Sequence, residues 1–181
     1  MTRTTYYTAS TLDGFLADEH DSLEWLFRQH IDEDGPMAYG PFIATIGALA
    51  MGATTYEWIR AHHLDRGEAW AYAMPTWVLT HRELPVVPGA DVRFASGDVR
   101  PVHQAMTAAA AGKDLWVVGG GDLAGQFIEA GLLDEVCVQL APVTLGAGRP
   151  LLPRPVDLRL VEVARNGDFA CVRYDVVGTA P

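Results

Sequence analysis

The chain has 181 residues, 49% of them hydrophobic, and its formal net charge is −10 at pH 7. This length suits a single domain with a sizeable core, so we predict one domain over residues 1–181. The negative charge argues against binding to nucleic acid, which needs clustered Lys and Arg, and the apolar runs are too short to span a membrane. The first residues contain no signal-peptide apolar block, so the sequence predicts a cytoplasmic protein.

Strands and helices alternate over most of the chain. Residues 3–10, rich in Thr and Tyr, predict a first strand, and Ser22 can cap a helix that runs to about residue 31. A short strand over 48–51 precedes Gly52 and a second helix, capped by Thr54 or Thr55. The elements predicted after it are strands over 75–80, 92–94 and 115–118 and an Ala-rich helix over 102–111.

The pattern changes in the last third of the chain, where three strands follow one another without helices. They are predicted over residues 135–141, 158–164 and 170–177. Alternating strands and helices form parallel sheets, whereas successive strands pair antiparallel. We therefore predict an α/β fold of three layers, with a mostly parallel central sheet, antiparallel C-terminal edge strands, and helices on both faces.

The most informative segment is the turn after the strand predicted over 115–118. This apolar run ends in Gly119, Gly120 and Gly121, and a helical pattern follows with Asp122 near its start. Glycines leave the backbone accessible to a ligand, and the N–H groups that open a helix are unpaired and partly positive. An anion such as the pyrophosphate of a dinucleotide is the ligand that this arrangement favours.

A second turn of the same kind lies in the segment Met51-Gly-Ala-Thr-Thr-Tyr56. Thr54 and Thr55 offer hydroxyl groups beside unpaired helix N–H groups, although ordinary helix capping is an equally good interpretation. Arg82, in Thr80-His81-Arg82 after a predicted strand, is either a phosphate ligand or a solvated surface residue. Two such turns in one chain favour a ligand with two phosphate-bearing ends.

Other nucleotide and metal motifs do not fit. The spacing Gly119-x-Gly121-x-x-Ala124 matches part of a Rossmann fingerprint, but that fingerprint comes early in a chain and has an acidic residue about 20 positions later. Here the turn comes late and position 139 is Gln. No pair of Cys or His has the spacing of a metal site, so we predict no bound metal.

Taken in order, the motifs resemble a known family. Beside the two turns, the chain contains Ser10-Thr-Leu-Asp-Gly14 and Leu145-Gly-Ala-Gly148. The combination resembles the dihydrofolate reductase-like superfamily, in particular the reductase domain of the bifunctional riboflavin-biosynthesis deaminase–reductase. The resemblance implies a homodimeric, NADPH-dependent reductase of a small heterocyclic substrate, similar to 5-amino-6-(5-phosphoribosylamino)uracil reductase.

The resemblance also implies which residues hold NADPH. Backbone groups of Ala9 and Leu16 would meet the nicotinamide carboxamide, and the two turns would hold the pyrophosphate and the adenosine end. The remaining implied cofactor-binding residues are Gly52, Ala53, Thr54, Thr55, Thr80, His81, Arg82, Gly119, Gly120, Gly121, Asp122 and Leu123. In the family the peptide between the first two glycines of the second turn is often cis, and Ala53 stands where an Arg often binds the 2′-phosphate.

The catalytic and substrate-binding residues are less sharply indicated. Asp13 and Glu24 are candidate proton donors, and the residues expected beside the substrate are Asp21, Ser22, Trp25 and Tyr56. Two alternatives stay open. One is authentic dihydrofolate reduction, which Ser22 opposes because true dihydrofolate reductases carry a carboxylate three residues before the tryptophan. The other is a nucleotide-binding module without catalysis.

Overall fold

An eight-stranded sheet forms the centre of the computed structural model, which describes residues 2–179. Its strands are β1 (Thr4–Thr11), β3 (Ile46–Gly52), β4 (Thr76–Leu79), β5 (Val92–Ala95), β6 (Asp114–Gly119), β7 (Glu135–Ala141), β9 (Asp157–Asn166) and β10 (Phe169–Gly178). A separate two-stranded ribbon pairs β2 (Phe15–Ala17) with β8 (Arg149–Pro150). The helices are α1 (Glu24–Phe27), α2 (Tyr39–Thr45), α3 (Ala53–His62), α4 (Val99–Ala109) and α5 (Gly121–Glu129), with one 3₁₀ turn at Leu64–Arg66.

The order of strands across the sheet is β5-β4-β3-β6-β1-β7-β10-β9. All neighbours pair parallel except β10, which is antiparallel to both β7 and β9. The predicted mostly parallel sheet with antiparallel C-terminal strands is therefore confirmed.

Side chains that alternate along the strands pack into hydrophobic cores on both faces of the sheet. Tyr6 and Val117 point to one face and pack with α4 and α5, where Phe127 is fully buried. Trp116 points to the other face and packs with Ile59 of α3 and with residues of α2. The predicted three layers, with helices on both faces, are confirmed as well.

The helix predicted from Ser22 to about residue 31 is shorter than expected. Only Glu24–Phe27 is helical, because the turn between β9 and β10 provides other partners for the chain that follows. The His30 N–H donates to the Asp168 carboxylate at 2.7 Å, and the Asp32 N–H donates to Asn166 Oδ1 at 2.8 Å. These tertiary hydrogen bonds replace the helical ones that the local pattern favoured.

Helix α3 begins earlier than the sequence indicated. Its N-cap is Gly52, and neither Thr54 nor Thr55 caps it, since both lie in its first turn. Their hydroxyl groups therefore remain free of any capping role. Among residues 2–179, no helix is long and apolar enough to cross a membrane, and no three His, Cys, Asp or Glu side chains lie close enough to share a metal.

Candidate functional site

Two strand–turn–helix units lie side by side in the middle of the sheet, where the strands reach their carboxyl ends. Strands β3 and β6 are parallel neighbours, and each leads directly into a helix, α3 and α5, capped by Gly52 and Gly120. A Cβ built on Gly52 would lie 3.8 Å from the Gly119 carbonyl oxygen and 3.9 Å from the Gly120 nitrogen. The unpaired N–H groups of both helices therefore open into the same space, which makes it attractive to anions.

The three glycines of the second turn serve different purposes. Gly119 has φ +137°, a conformation that L side chains rarely adopt, and the Gly119–Gly120 peptide is cis, as the resemblance implied. A Cβ on Gly120 would meet no atom within 4 Å, so this position opens onto the cavity. A Cβ on Gly121 would collide with the carbonyl oxygens of Pro150 and Leu151. Gly120 thus gives a ligand access, and Gly121 permits close packing.

A cavity of about 740 Å³ lies between these turns, β1 and the β2–β8 ribbon. A volume of this size is typical of sites for small molecules and cofactors. The predicted cofactor-binding residues that line it are Ala9, Leu16, Gly52, Ala53, Thr54, Thr55, Gly119, Gly120, Gly121, Asp122 and Leu123. Segments separated by more than 100 positions in the sequence therefore meet around one space.

The third predicted cofactor segment lies beyond the cavity wall. Leu79 lines the cavity, but Thr80, His81 and Arg82 do not. The Arg82 guanidinium instead donates two hydrogen bonds to the Glu57 carboxylate of α3, at 3.1 and 2.7 Å. To bind a 2′-phosphate, Arg82 would have to leave this exposed ion pair.

Neither candidate proton donor reaches the cavity. The Asp13 carboxylate accepts hydrogen bonds from the Thr11 hydroxyl and from the N–H groups of Leu145 and Gly146. These hydrogen bonds, of which the one from the Thr11 hydroxyl has the largest effect, hold the pKa of Asp13 below its usual value. An ionised Asp13 that binds the 145–146 loop is a better description of this side chain than a proton donor. Glu24 is exposed on α1 and is also absent from the cavity lining.

Of the residues expected beside the substrate, Asp21 alone lines the cavity. Ser22 Oγ accepts from the Glu24 N–H at 3.3 Å, outside the cavity. Trp25 is buried, and its indole N–H donates to the Leu16 carbonyl. Tyr56 is fully buried, and its hydroxyl donates to the Pro85 carbonyl at 2.7 Å. These last two side chains support the walls of the site from behind.

An ion pair stands within the cavity lining. Asp21 accepts two hydrogen bonds from Arg149, from Nε at 2.6 Å and from a terminal nitrogen at 3.0 Å. Within residues 2–179, Arg149 is the one cationic side chain that lines the cavity. Asp21 has φ +61°, an uncommon conformation for a residue other than glycine.

One part of the cavity is aromatic and was not indicated by any motif of the sequence. Tyr7, Tyr39, Tyr72 and Trp116 line it together with Gln139. The Trp116 ring meets those of Tyr39 and Tyr72 at centroid distances of 5.8 and 5.7 Å, and its indole N–H donates to the Tyr7 carbonyl at 3.0 Å. The strand alternation that places Tyr7 and Trp116 on one face was a usable signal. The positions of Tyr39 and Tyr72 carried none, because Tyr39 begins the short helix α2 and Tyr72 lies in irregular chain before β4.

Comparison with known proteins places the chain in a family. Residues 69–171, more than half of the chain, match the model of the RibD C-terminal domain. The chain belongs to this family. The uncharacterized protein YwjB of Bacillus subtilis is 25% identical over 181 residues, which cover 95% of this chain and 97% of YwjB. The resemblance drawn from the motifs is thereby confirmed.

Solved structures agree on the fold. A candidate riboflavin biosynthesis protein of Shewanella sp. PV-4 superimposes with a TM-score of 0.80 at 22% identity, over 96% of this chain and 98% of that one. The dihydrofolate reductase of Enterococcus faecalis, solved with NADP(H), superimposes with a TM-score of 0.57 at 16% identity, over 97% and 96% of the two chains. The RibD C-terminal domain and dihydrofolate reductase-like folds thus share this architecture.

Proposed function

We propose that this chain is an NADPH-dependent reductase of a small heterocyclic substrate. The observation that carries the proposal is the contact between the two glycine turns, Gly52 and Gly119–Gly120, at the rim of one cavity. Two helix N-termini at this separation suit the two phosphates of a dinucleotide. Membership of the RibD C-terminal domain family and the fold shared with an NADP(H)-bound reductase support it.

The residues present suit that cofactor. The half-buried backbone of Gly52 and Gly120, which lines the cavity, and the hydroxyl groups of Thr54 and Thr55 would hold the pyrophosphate. Backbone groups of Ala9 and Leu16 would hold the nicotinamide carboxamide. The bound cofactor would supply the hydride, and the protein would supply position and electrostatics. The aromatic side chains around Trp116 would exclude water from the reacting atoms.

The rest of the cavity would hold the substrate. Its aromatic part suits a planar ring such as a pyrimidine, and Arg149 suits an anionic substituent such as a phosphate, which would compete with Asp21 for the guanidinium. These features fit a substrate similar to 5-amino-6-(5-phosphoribosylamino)uracil. As the resemblance implies, we propose that the protein is a homodimer; its cytoplasmic location remains the prediction made from the sequence.

Calorimetric titration of the purified protein with NADPH and with NADH tests the proposal. We expect NADPH to bind, after which loss of NADPH absorbance is followed with 5-amino-6-(5-phosphoribosylamino)uracil and with dihydrofolate. Turnover of the first substrate supports the proposed reaction, whereas turnover of dihydrofolate alone would identify a dihydrofolate reductase. Binding without turnover of any substrate would favour a non-catalytic module, and failure to bind either cofactor would refute the proposal.

A further inference from the structure

A buried amide forms the polar floor of the aromatic part of the cavity. Gln139, on β7, is only 5% exposed and lines the cavity. Its Nε2 donates to the Tyr7 hydroxyl oxygen and, at 2.8 Å, to the Met37 carbonyl. The Tyr7 hydroxyl donates to the same carbonyl at 2.8 Å. Three polar groups therefore close a small hydrogen-bonded ring behind the cavity.

This ring fixes which way the amide faces. A carbonyl can only accept hydrogen bonds, so the end of the amide that faces Met37 must be the NH₂ group. Burial raises the pKa of Tyr7 well above its usual value, so its hydroxyl keeps the proton that it donates to Met37. Both N–H bonds of Gln139 are consequently used, and Oε1 must face the other way.

The structure gives Oε1 no partner. No donor among residues 2–179 forms a hydrogen bond with it. Within residues 2–179, the side-chain polar atoms that are both buried from solvent and without a hydrogen-bond partner are Arg60 Nε and Trp70 Nε1. Gln139 Oε1 is not among them. It therefore retains accessible surface, and on so deeply buried a side chain that surface belongs to the cavity. A structural role accounts for the NH₂ group of Gln139 but leaves this acceptor unexplained.

The surroundings of Oε1 indicate what it would recognise. Tyr7, Tyr39, Tyr72 and Trp116 present ring surfaces, which favour a flat aromatic ligand. Burial raises the pKa of Tyr72 and of Tyr39, so both hydroxyl groups stay uncharged at neutral pH. An unpaired acceptor among uncharged aromatic groups selects a ring that carries an N–H donor on its edge.

We propose that Gln139 determines substrate specificity by accepting a hydrogen bond, at Oε1, from a ring N–H of an uncharged planar lactam heterocycle. The inference rests on the proposed function, because it names the class of ring that this reductase would take. A heterocycle without the N–H would leave the buried acceptor unpaired, and an N-methyl group in its place would also collide with the floor.

The test compares pteridine-2,4-dione with its 1,3-dimethyl derivative, in which both ring N–H groups are replaced by N-methyl groups. Their dissociation constants are measured by ligand fluorescence with and without saturating NADPH. We expect the unmethylated ring to bind at least about tenfold more tightly, the value of one hydrogen bond to a buried group. The Gln139→Met variant should bring the two affinities to within about twofold of each other. Gln29→Met is the matched control, since Gln29 also donates to a backbone carbonyl, that of Trp25, but lies outside the cavity.

The outcomes separate this inference from the proposed function. Equal affinities in the unmodified protein, no binding of either ring, or a preference that survives in Gln139→Met would each overturn the role of Gln139 while leaving NADPH binding intact. Loss of NADPH binding would instead refute the reductase, and the measurement without cofactor would still report on the floor of the cavity. The comparison in the unmodified protein needs no variant, so it stands even if Gln139→Met does not fold.

Discussion

Replacing Ala53 by Glu should separate cofactor binding from stability, because the two effects have opposite signs. Ala53 is the first residue of α3 and lines the cavity beside Gly52. A carboxylate in the first turn of a helix interacts favourably with the helix dipole, by about 0.3–1 kcal/mol. The same carboxylate would repel a phosphate bound between the two turns. Ala53→Glu should therefore fold at least as stably as the natural sequence and bind NADPH more weakly.

The loss of affinity follows from the geometry of the two turns. A Cβ built on Gly52 would stand 3.8 Å from the Gly119 carbonyl oxygen, so we take a phosphate held between the turns to lie about 6 Å from a carboxylate at position 53. Two unit charges at about 6 Å repel by about 0.7 kcal/mol in water and by about 2.8 kcal/mol at an effective dielectric constant of about 20. These energies correspond to roughly threefold to 100-fold weaker binding of NADPH.

The assay is calorimetric titration with NADPH, alongside thermal unfolding of the same samples. Ala105→Glu is the control, because Ala105 is exposed on α4 and the change adds the same charge outside the cavity. If Ala53→Glu folds and binds NADPH as tightly as Ala105→Glu does, the turn at Gly52 does not hold a phosphate.

Three further predictions concern other parts of the molecule. Arg82→Ala should weaken the binding of NADPH more than the binding of NADH. Glu57→Gln, which releases Arg82, should strengthen the binding of NADPH by up to about fivefold, the value of an exposed ion pair. Equal effects on the binding of both cofactors would exclude Arg82 as the 2′-phosphate ligand. The pKa of Asp13 is lower in the folded protein than in the unfolded chain, where it is about 3.9. Ionised Asp13 therefore stabilises the fold at pH values above that unfolded pKa, and this stabilisation is lost as the pH falls through the folded pKa. Asp13→Asn should consequently be less stable than the natural sequence at pH 7 by chemical denaturation, and a difference that does not narrow in acid would contradict this. Val163, 62% exposed on the edge strand β9, should lie in a dimer interface, so Val163→Lys should favour the monomer in light scattering. Val86→Lys is the control, because this valine is 65% exposed near the opposite edge, and it should leave the dimer unchanged. A protein of natural sequence that is already monomeric would disprove the interface.

The sequence predicted those parts of the site that depend on local signals. An apolar run that ends at Gly119 and a helical pattern after it identify a strand, a turn and a helix within a dozen residues, and the same holds around Gly52. The parallel neighbourhood of β3 and β6 then follows from the fold, and it brings the two turns into contact. For this reason the predicted phosphate turns line the cavity.

The substrate end could not be predicted in the same way, because it depends on long-range register. Gln139 reaches Tyr7 only because β1 and β7 pair in parallel, with Tyr7 opposite Cys137 and Ala9 opposite Gln139. The Met37 carbonyl accepts hydrogen bonds from the Tyr7 and Gln139 side chains, and Met37 itself has φ +53° and lies in an irregular segment. Trp25 was expected beside the substrate, and no local pattern indicated that its indole N–H would donate to the Leu16 carbonyl.

The β2–β8 ribbon makes the cavity depend on segments that lie far apart in the sequence. It joins Phe15 to Pro150, and the Gly14 carbonyl accepts a hydrogen bond from the Leu151 N–H at 2.8 Å. One wall of the cavity therefore needs two segments that are far apart in the sequence. Closing so long a loop costs entropy that only the complete sheet repays. Partly folded forms would thus lack the cavity, and a ligand present at about 100 times its dissociation constant would add about 2.7 kcal/mol to the free energy of unfolding. Occupancy of this cavity would then report that the chain from β1 to β8 has reached its native arrangement.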